Sequence, residues 1–420
     1  MVERHFEVRS HKAPCQFIRE YPFATDGEQE TELQLAVKQY IPLSNPRPKD
    51  GDITIIAAHA IGFGKECYEP LWIDLLGALE KRGVSIRSIW FADCANHGES
   101  YVLNEDKLGN EPAWQDHSRD LLLMVNHFRN HIKRPIIGVG HSIGGSNIVD
   151  LSILHPRLFT SLVLVEAALG HPNVQLNWYP SMASARRRDR WTNRAEARST
   201  LLQNAFYRNW DPRVFDRYLA SELRDVPTRL YPGDEGEEGV TLTTPRDQEV
   251  LLYLRPNLPT PTHPDPSEDP DRTVNPDVDP ASKELIPFYC PGPMRSLHNL
   301  PHLRPSVLWI VGSKSPFSTK QVIDHRLQHT GVGVDGSGGA KHGQVRHRVL
   351  PGGHFLPFES VPQVAHVACE WIVDVLERWR RLESERRTRW SQIAREERQR
   401  MSKGALVVLS KGPTDSNTKL

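Results

Sequence analysis

Apolar residues fall along this chain in short runs, many of them bounded by Gly, Pro or Asp. Residues 6–9 and 33–41 alternate apolar with polar positions, the pattern of edge strands with one wet face. A different pattern follows. Ile53–Ala58 (ITIIAA), 85–91 (SIRSIWF), 135–139 (PIIGV), 162–165 (LVLV) and 307–311 (VLWIV) are almost continuously apolar and rich in β-branched residues. Strands covered on both faces read this way, and such strands are usually parallel. Residues 344–350 supply a last strand. Between the strands lie helical patterns at 68–81, 114–131 and 145–154. This alternation predicts an α/β fold with a doubly wound, mostly parallel sheet and right-handed crossovers.

The alternation breaks between residues 170 and 303. This stretch opens with charged helical segments (ARRRDRW, EARSTLLQNAF, DPRVFDRYLASEL). It then passes into residues 255–280, which hold eight prolines and six acidic residues. Such a composition predicts an extended surface loop that packs no core. The domain plan is a core in two parts, 1–169 and 304–380, with a helical cap at 170–303 inserted after the sixth core strand. From Pro362 to about Met401 the pattern predicts one long helix, apolar at first (VAHVACEWIVDVL) and then dense in mixed charge. Its charged part and the tail, 381–420, read as a solvated helical extension. Gly331, Gly333 and Gly336 form a GxGxxG spacing. They precede a strand instead of leading from one into a helix, so they read as a flexible connector and not as a nucleotide site.

Charge and cysteine usage narrow the partners. Lys+Arg and Asp+Glu both total 52, so the net charge gives no footprint for nucleic acid. Cys15, Cys67, Cys94, Cys290 and Cys369 are scattered without a CxxC spacing. That fits a reducing compartment better than a disulfide framework or a zinc site. The N-terminus, MVERHFEVRSHK, lacks the apolar stretch of a secretory signal. No run approaches the roughly 20 apolar residues of a transmembrane span. Thr418, Lys419 and Leu420 end the chain one residue away from the Ser-Lys-Leu peroxisomal address. They make a peroxisomal import receptor a candidate partner, and the peroxisome or the cytoplasm the expected location.

The strongest chemical signal is Gly140-His141-Ser142-Ile143-Gly144, a GxSxG string between a strand and a helix. That context suits a nucleophilic serine on a tight turn. The helix N-terminus beyond adds positive potential where an oxyanion forms. His59-Ala60-Ile61-Gly62-Phe63 follows the first apolar strand, and the backbone N–H groups of Ile61 and Ile143 are the expected oxyanion donors. Leu350-Pro351-Gly352-Gly353-His354 places a histidine directly after the last strand, within reach of Ser142 as its general base. The acid is less obvious. In folds with this turn it usually follows the strand after the insertion, but that position holds Ser315. The preceding core strand ends Leu164-Val165-Glu166. Glu166 keeps the order Ser…Glu…His and is the expected acid, with Asp324 and Glu359 as weaker substitutes.

These motifs resemble those of the α/β-hydrolases of fungal toxin and secondary-metabolite clusters, including the peroxisomal group linked to host-selective toxins. The carrying segments are HAIGFGKECYEPLW (59–72), ADCANHGES (92–100), GHSIGG (140–145), LVE (164–166), RRRDRW (186–191), TGVGVDGSGG (330–339) and LPGGHFLPFE (350–359). Two features depart from that pattern: Ile61 stands where Asn is usual, and the Pro-Asp-rich stretch looks like an insertion. The resemblance implies the α/β-hydrolase fold and hydrolysis in such a pathway, often in peroxisomes.

The expected reaction is cleavage of a small-molecule ester or thioester through an acyl-enzyme on Ser142, with no metal or cofactor. Ser142 at the nucleophile position argues against epoxide hydrolase or dehalogenase chemistry, which uses a carboxylate there. Two alternatives share the same residues: an acyltransferase, and an acyl-CoA thioesterase in which Arg186, Arg187, Arg188 and Arg190 meet phosphates. A non-catalytic ligand-binding protein is a third. The bland reading of the arginines is one solvated helix face.

Overall fold

A computed structural model describes residues 2–170, 175–233, 238–266, 268–278, 287–317 and 319–412. Thr418, Lys419 and Leu420 lie outside the described residues. The chain divides into two compact units, Met1–Val375 and Leu376–Leu420.

The first unit opens with strands β1 (Phe6–Pro14), β2 (Gln34–Pro42), β3 (Ile53–Ala58), β4 (Ile86–Ala92), β5 (Ile136–His141) and β6 (Ser161–Val165). Five short strands follow: β7 (Arg190–Trp191), β8 (Leu223–Asp225), β9 (Val240–Leu242), β10 (Arg255–Pro256) and β11 (Phe288–Tyr289). The main sheet then resumes with β12 (Ser306–Gly312) and β13 (Val345–Leu350). Its order is β1-β2-β4-β3-β5-β6-β12-β13. The β1–β2 and β2–β4 pairs are antiparallel, and all the others are parallel. Every residue of β3, β5, β6 and β12 is buried, because helices cover both faces. β1 and β13, at the two edges, carry exposed positions throughout.

The chain passes from β3 to β4 on one side and then returns to β5 on the other side of β3. In open α/β sheets, the crevice at such a reversal, beyond the C-terminal strand ends, is where ligands bind. His59 leaves β3 there, and Ser142 leaves β5 there.

The insertion between β6 and β12 is not purely helical. Besides helices that include Gln175–Arg186, Arg194–Leu201, Pro212–Ser221 and Arg246–Tyr253, it holds a three-stranded antiparallel sheet, β7-β9-β8. Those strands have two or three residues each, too few to leave a periodic signature in sequence. The insertion is fastened to the core by polar and aromatic contacts. Arg213 grips Asp74 at 2.7 and 2.9 Å, and the Asp211 N–H donates to the Phe358 carbonyl at 2.7 Å. Phe206 and Trp210 pack ring on ring against Phe63, and also against Phe355 and Phe358 respectively.

Three expectations are corrected here. The described part of residues 255–280 is largely an exposed loop, as expected, but it does pack a small core of its own. Arg255 is buried, with its guanidinium 3.5 Å from the Tyr21 ring centroid and its Nε–H donating to the Tyr289 hydroxyl at 3.0 Å. Asn257, Asn275 and Val278 are buried beside it. Polar side chains make this small core, so a search for apolar residues passes over it. Residues 331–340 are not a loose connector either. The N–H groups of Gly331, Gly333 and Ser337 donate to the carbonyls of Leu300, Pro301 and Leu303 at 2.8–2.9 Å. A Cβ at Gly336 would lie 2.3 Å from the Gly331 carbonyl oxygen, so glycine serves close packing there.

The third correction concerns the long helix Val361–Ser391, which ends well short of Met401. Arg398 lies over the Trp390 ring and donates to the Ile393 carbonyl at 3.0 Å, turning the chain back on itself. A short helix, Lys403–Ser410, follows, with Ser402 as its N-cap. Among the described residues no helix is long and apolar enough to cross a membrane.

Candidate active site

Ser142 sits between the last residue of β5 and the helix Ile143–Leu154, with φ +55° and ψ −121°. For a non-glycine residue this is a strained conformation, held only because its surroundings dictate it. A Cβ at Gly144 would stand 2.2 Å from the Ala58 carbonyl oxygen, and one at Gly140 would stand 2.5 Å from that of Gly144. The glycines let the turn press against β3. The Ser142 N–H donates to the Val165 carbonyl at 3.1 Å, and the Ala168 N–H donates to the Ser142 carbonyl at 2.9 Å. The serine is thereby pinned beside the end of β6, where Glu166 follows.

Glu166 also has a positive φ, +47°. Its Oε1 accepts from the Gly312 N–H at 2.5 Å, and its Oε2 accepts from the Ser315 hydroxyl at 2.5 Å. The same Oε2 lies 3.0 Å from His354 Nδ1, and His354 Nε2 lies 2.9 Å from Ser142 Oγ. A carboxylate can only accept, so Nδ1 carries the proton and Nε2 is free to accept from the serine hydroxyl. Burial pushes the Glu166 carboxyl up. The hydrogen bonds from His354, Ser315 and Gly312 outweigh it and hold the group below its ordinary value. Of the weaker candidates, Asp324 is paired with Lys320. Glu359 accepts from the Gly353 N–H at 2.8 Å and so braces the histidine loop.

A second histidine supports this line. His141 is buried, and burial, with His354 nearby, pushes its pKa down to about 3. It is therefore neutral, with one donor and one acceptor. Nε2 lies 2.9 Å from the His354 carbonyl, which can only accept, so Nε2 carries the hydrogen. Nδ1 then accepts from the Tyr68 hydroxyl at 2.8 Å, and that hydroxyl accepts from the Ala60 N–H at 2.9 Å. One chain of bonds thus joins the histidine loop to the 59–63 turn. In that turn His59 is tied to the Ala60 carbonyl and the Cys94 N–H, and Gly62 has φ +83°. Ile61 and Ile143 meet in one buried cluster with Trp114 and Leu252.

A cavity of about 610 Å³ opens beside this turn, walled by Ile61, Phe63, Trp191, Phe206, Tyr207 and Phe355 among others. Residues 55–367 match the family described as "Alpha/beta hydrolase family". The chain belongs to the alpha/beta hydrolase family. This alpha/beta hydrolase is 38% identical over 401 residues to the "Type I acyl-CoA thioesterase mpaH" of Penicillium brevicompactum, covering 91% of each chain. It is 28% identical over 244 residues to the "Abhydrolase domain-containing protein ACTT2-1" of Alternaria alternata, covering 57% of this chain and 84% of that one. Its fold is similar to that of the peroxisomal alpha-beta-hydrolase Lpx1 of Saccharomyces cerevisiae, with a TM-score of 0.64, 19% identity, and 89% and 90% of the two chains covered. The hydrolase is thus of the fungal secondary-metabolite type.

Sequence reasoning passed over three features of the hydrolase. Ser315 was visible only as a missing acid, yet its hydroxyl holds Glu166. His141 lies inside the GxSxG string, whose pattern leaves that position open. Arg187 does not lie on a solvated helix face; it turns inward and pairs with Glu249. Arg186 and Arg188 line the same cavity and are exposed.

Proposed function

We propose that this alpha/beta hydrolase is a serine hydrolase that cleaves an acyl thioester or ester of a small molecule, with acyl-CoA as the leading thioester. The observation that carries this reading is the line Ser142–His354–Glu166, with contacts of 2.9 and 3.0 Å. Ser142 Oγ attacks the carbonyl carbon as its proton passes to His354 Nε2. The N–H groups of Ile61 and Ile143 receive the oxyanion, and Glu166 stabilises the imidazolium. The C–S or C–O bond breaks, and His354 returns the proton to the leaving thiolate or alkoxide. Water then gives its proton to His354 and attacks the acyl-serine; the bond between the acyl carbon and Ser142 Oγ breaks, Oγ takes the proton back from His354, and the acid is released. The names of the Penicillium relatives support the thioester choice, and exposed Arg186 and Arg188 suit the phosphates of a CoA. Location in the peroxisome, with Thr418, Lys419 and Leu420 as the address, belongs to the same proposal.

The test is labelling by a fluorophosphonate probe, followed by release of free CoA from acyl-CoA thioesters. Wild type should label and turn over, while Ser142→Ala should do neither. Absence of both in folded wild type would sink the hydrolase reading in favour of a ligand-binding protein.

A further inference from the structure

Arg326 is a buried arginine to which the reaction above gives no role. It stands in the helix Lys320–His329, between β12 and β13. Its guanidinium lies over the Trp309 ring of β12, 5.0 Å from the centroid. Among the described residues it makes no ion pair and a single hydrogen bond, from Nη2–H to the Ala167 carbonyl at 2.8 Å. Ala167 follows Glu166 directly.

That bond fixes a segment with two duties. Glu166 holds a left-handed φ of +47°. Such a conformation is costly for a non-glycine residue and persists only where its neighbours over-determine it. The Glu166 N–H donates to the Ile310 carbonyl at 2.9 Å on one side, and Arg326 holds the Ala167 carbonyl on the other. A Cβ at Gly145 would lie 2.3 Å from the Ala167 Cβ, so the nucleophile helix presses on the same residue. The Ala168 N–H, one residue on, holds the Ser142 carbonyl.

Charge gives the arginine a second use. A buried guanidinium stays protonated and requires an anion near it. Burial pushes the Arg326 pKa down to about 10, and Glu166 is the charge that acts against this. With Glu166 ionised and His354 neutral, Arg326 brings the buried assembly to zero net charge. Without it the Glu166–His354 pair would carry one uncompensated negative charge and take up a proton more readily. An imidazole already protonated cannot accept from Ser142. The neighbouring titratable groups do not replace it. His141 is buried and neutral, and Glu359 is bonded to the Gly353 N–H. On the arginine's own helix, Lys320 pairs with Asp324, and His325 and His329 stack on each other at the surface.

We propose that Arg326 is a positioning residue for the acid of this site: it fixes the peptide after Glu166 and supplies the buried positive charge that balances the Glu166 carboxylate. The kinetic consequence rests on the proposed serine chemistry, while the charge balance is a property of the resting protein.

The experiment uses the full chain with Arg326→Met, which loses the charge, and Arg326→Lys, which keeps it. The rate of fluorophosphonate labelling is followed from pH 5 to pH 9. In Arg326→Met its acid limb should move up by about one pH unit, and in Arg326→Lys it should stay within about 0.3 unit of wild type. A purely structural loss would lower the rate at every pH without moving the limb. A limb unmoved in Arg326→Met, or moved equally in both variants, would overturn the inference. Thermal melts of wild type, Arg326→Met, Glu166→Gln and the double variant read the charge balance without any chemistry at Ser142. Glu166→Gln strands the guanidinium, so Arg326→Met should be less harmful in that background than in wild type by at least about 3 °C. Should Arg326→Met not fold alone, a folded double variant shows the same coupling. Additive shifts would overturn the inference even in a good hydrolase. Coupled shifts in a protein that does not label would sustain it and defeat the hydrolase reading.

Discussion

Ser315 donates its hydroxyl to the same Glu166 oxygen that faces His354 Nδ1, at 2.5 Å. The position where an acid was expected therefore still bonds Glu166, the proposed acid, from the neighbouring strand end. Removing the hydroxyl leaves Glu166 one bond short. Ser315→Ala should lower kcat about 5- to 20-fold with little change in KM, as one charge-assisted bond is lost. The two positions should also be partly exchangeable. Glu166→Ala combined with Ser315→Asp should recover at least about tenfold of the kcat lost in Glu166→Ala alone. No recovery in a folded double variant would mean that residue 315 cannot reach His354.

Glu166→Gln keeps the shape and removes the charge. Its amide can present a donor to His354 Nδ1, which favours the wrong tautomer for accepting from Ser142. The expected loss in kcat is about 10³- to 10⁴-fold, with KM largely kept. Steady-state kinetics on a good thioester decides it. A loss below tenfold would move the acid role elsewhere.

His141 should be a positioning residue. His141→Phe removes the donor to the His354 carbonyl and leaves the Tyr68 hydroxyl facing carbon. Stability should fall by about 1–3 kcal/mol and kcat by about tenfold. The acid response tells this apart from general damage. Burial lowers the His141 pKa to about 3, so between the unfolded value near 6.5 and that value the unfolded chain holds the extra proton. Stability conferred by neutral His141 is thus lost as pH falls through this window. Urea unfolding at pH 7 and pH 4.5 should give a smaller difference in the variant than in wild type.

Glu222 behaves in the opposite sense. It ends the Pro212–Ser221 helix of the insertion and accepts from the Gly64 N–H in the core at 2.9 Å. Burial, with Asp93 and Glu66 close by, raises its pKa to about 8. Above an unfolded value near 4.5 the folded state holds the extra proton, so stability declines as pH rises toward 8. Glu222→Gln copies the protonated form. It should stabilise by about 1–3 kcal/mol at pH 8 and make no difference at pH 4. Thermal melts at the two pH values measure this. An equal shift at both would place the effect in packing, not in titration.

The sheet was legible because each buried strand is a local event. ITIIAA and VLWIV advertise two-sided burial within six residues. Ser142 was legible for a related reason, since it follows directly on such a strand among glycines, whereas His354 had to be read from the Gly352-Gly353 pair after an edge strand. Glu166 could be chosen because β6 ends with a carboxylate and residue 315 offers none. What stayed hidden depends on contacts between distant, individually ordinary residues. Nothing near Arg187 in sequence distinguishes an arginine that faces Glu249 from one that faces water. Arg255 lies in a stretch whose prolines and acids describe a loop, yet its guanidinium organises a small polar core with Tyr21 and Tyr289. The break after Ser391 has no Pro or Gly to mark it, and the Arg398 contacts with Trp390 and the Ile393 carbonyl that accompany it leave no local sequence signature.

The ring-on-ring contacts of Phe206 and Trp210 with Phe63, Phe355 and Phe358 bear on how such a protein can change over generations. The aromatic surface is shared between the insertion, the 59–63 turn and the segment that carries His354. A new acyl pocket therefore cannot arise by exchanging residues 170–303 as a cassette, because half of the seam would stay behind with mismatched volumes. Descendants with altered pockets should show paired changes across that seam, with residue 206 varying together with 355, and 210 together with 358. The histidine loop is thus bound to inherit its history in step with the insertion above it.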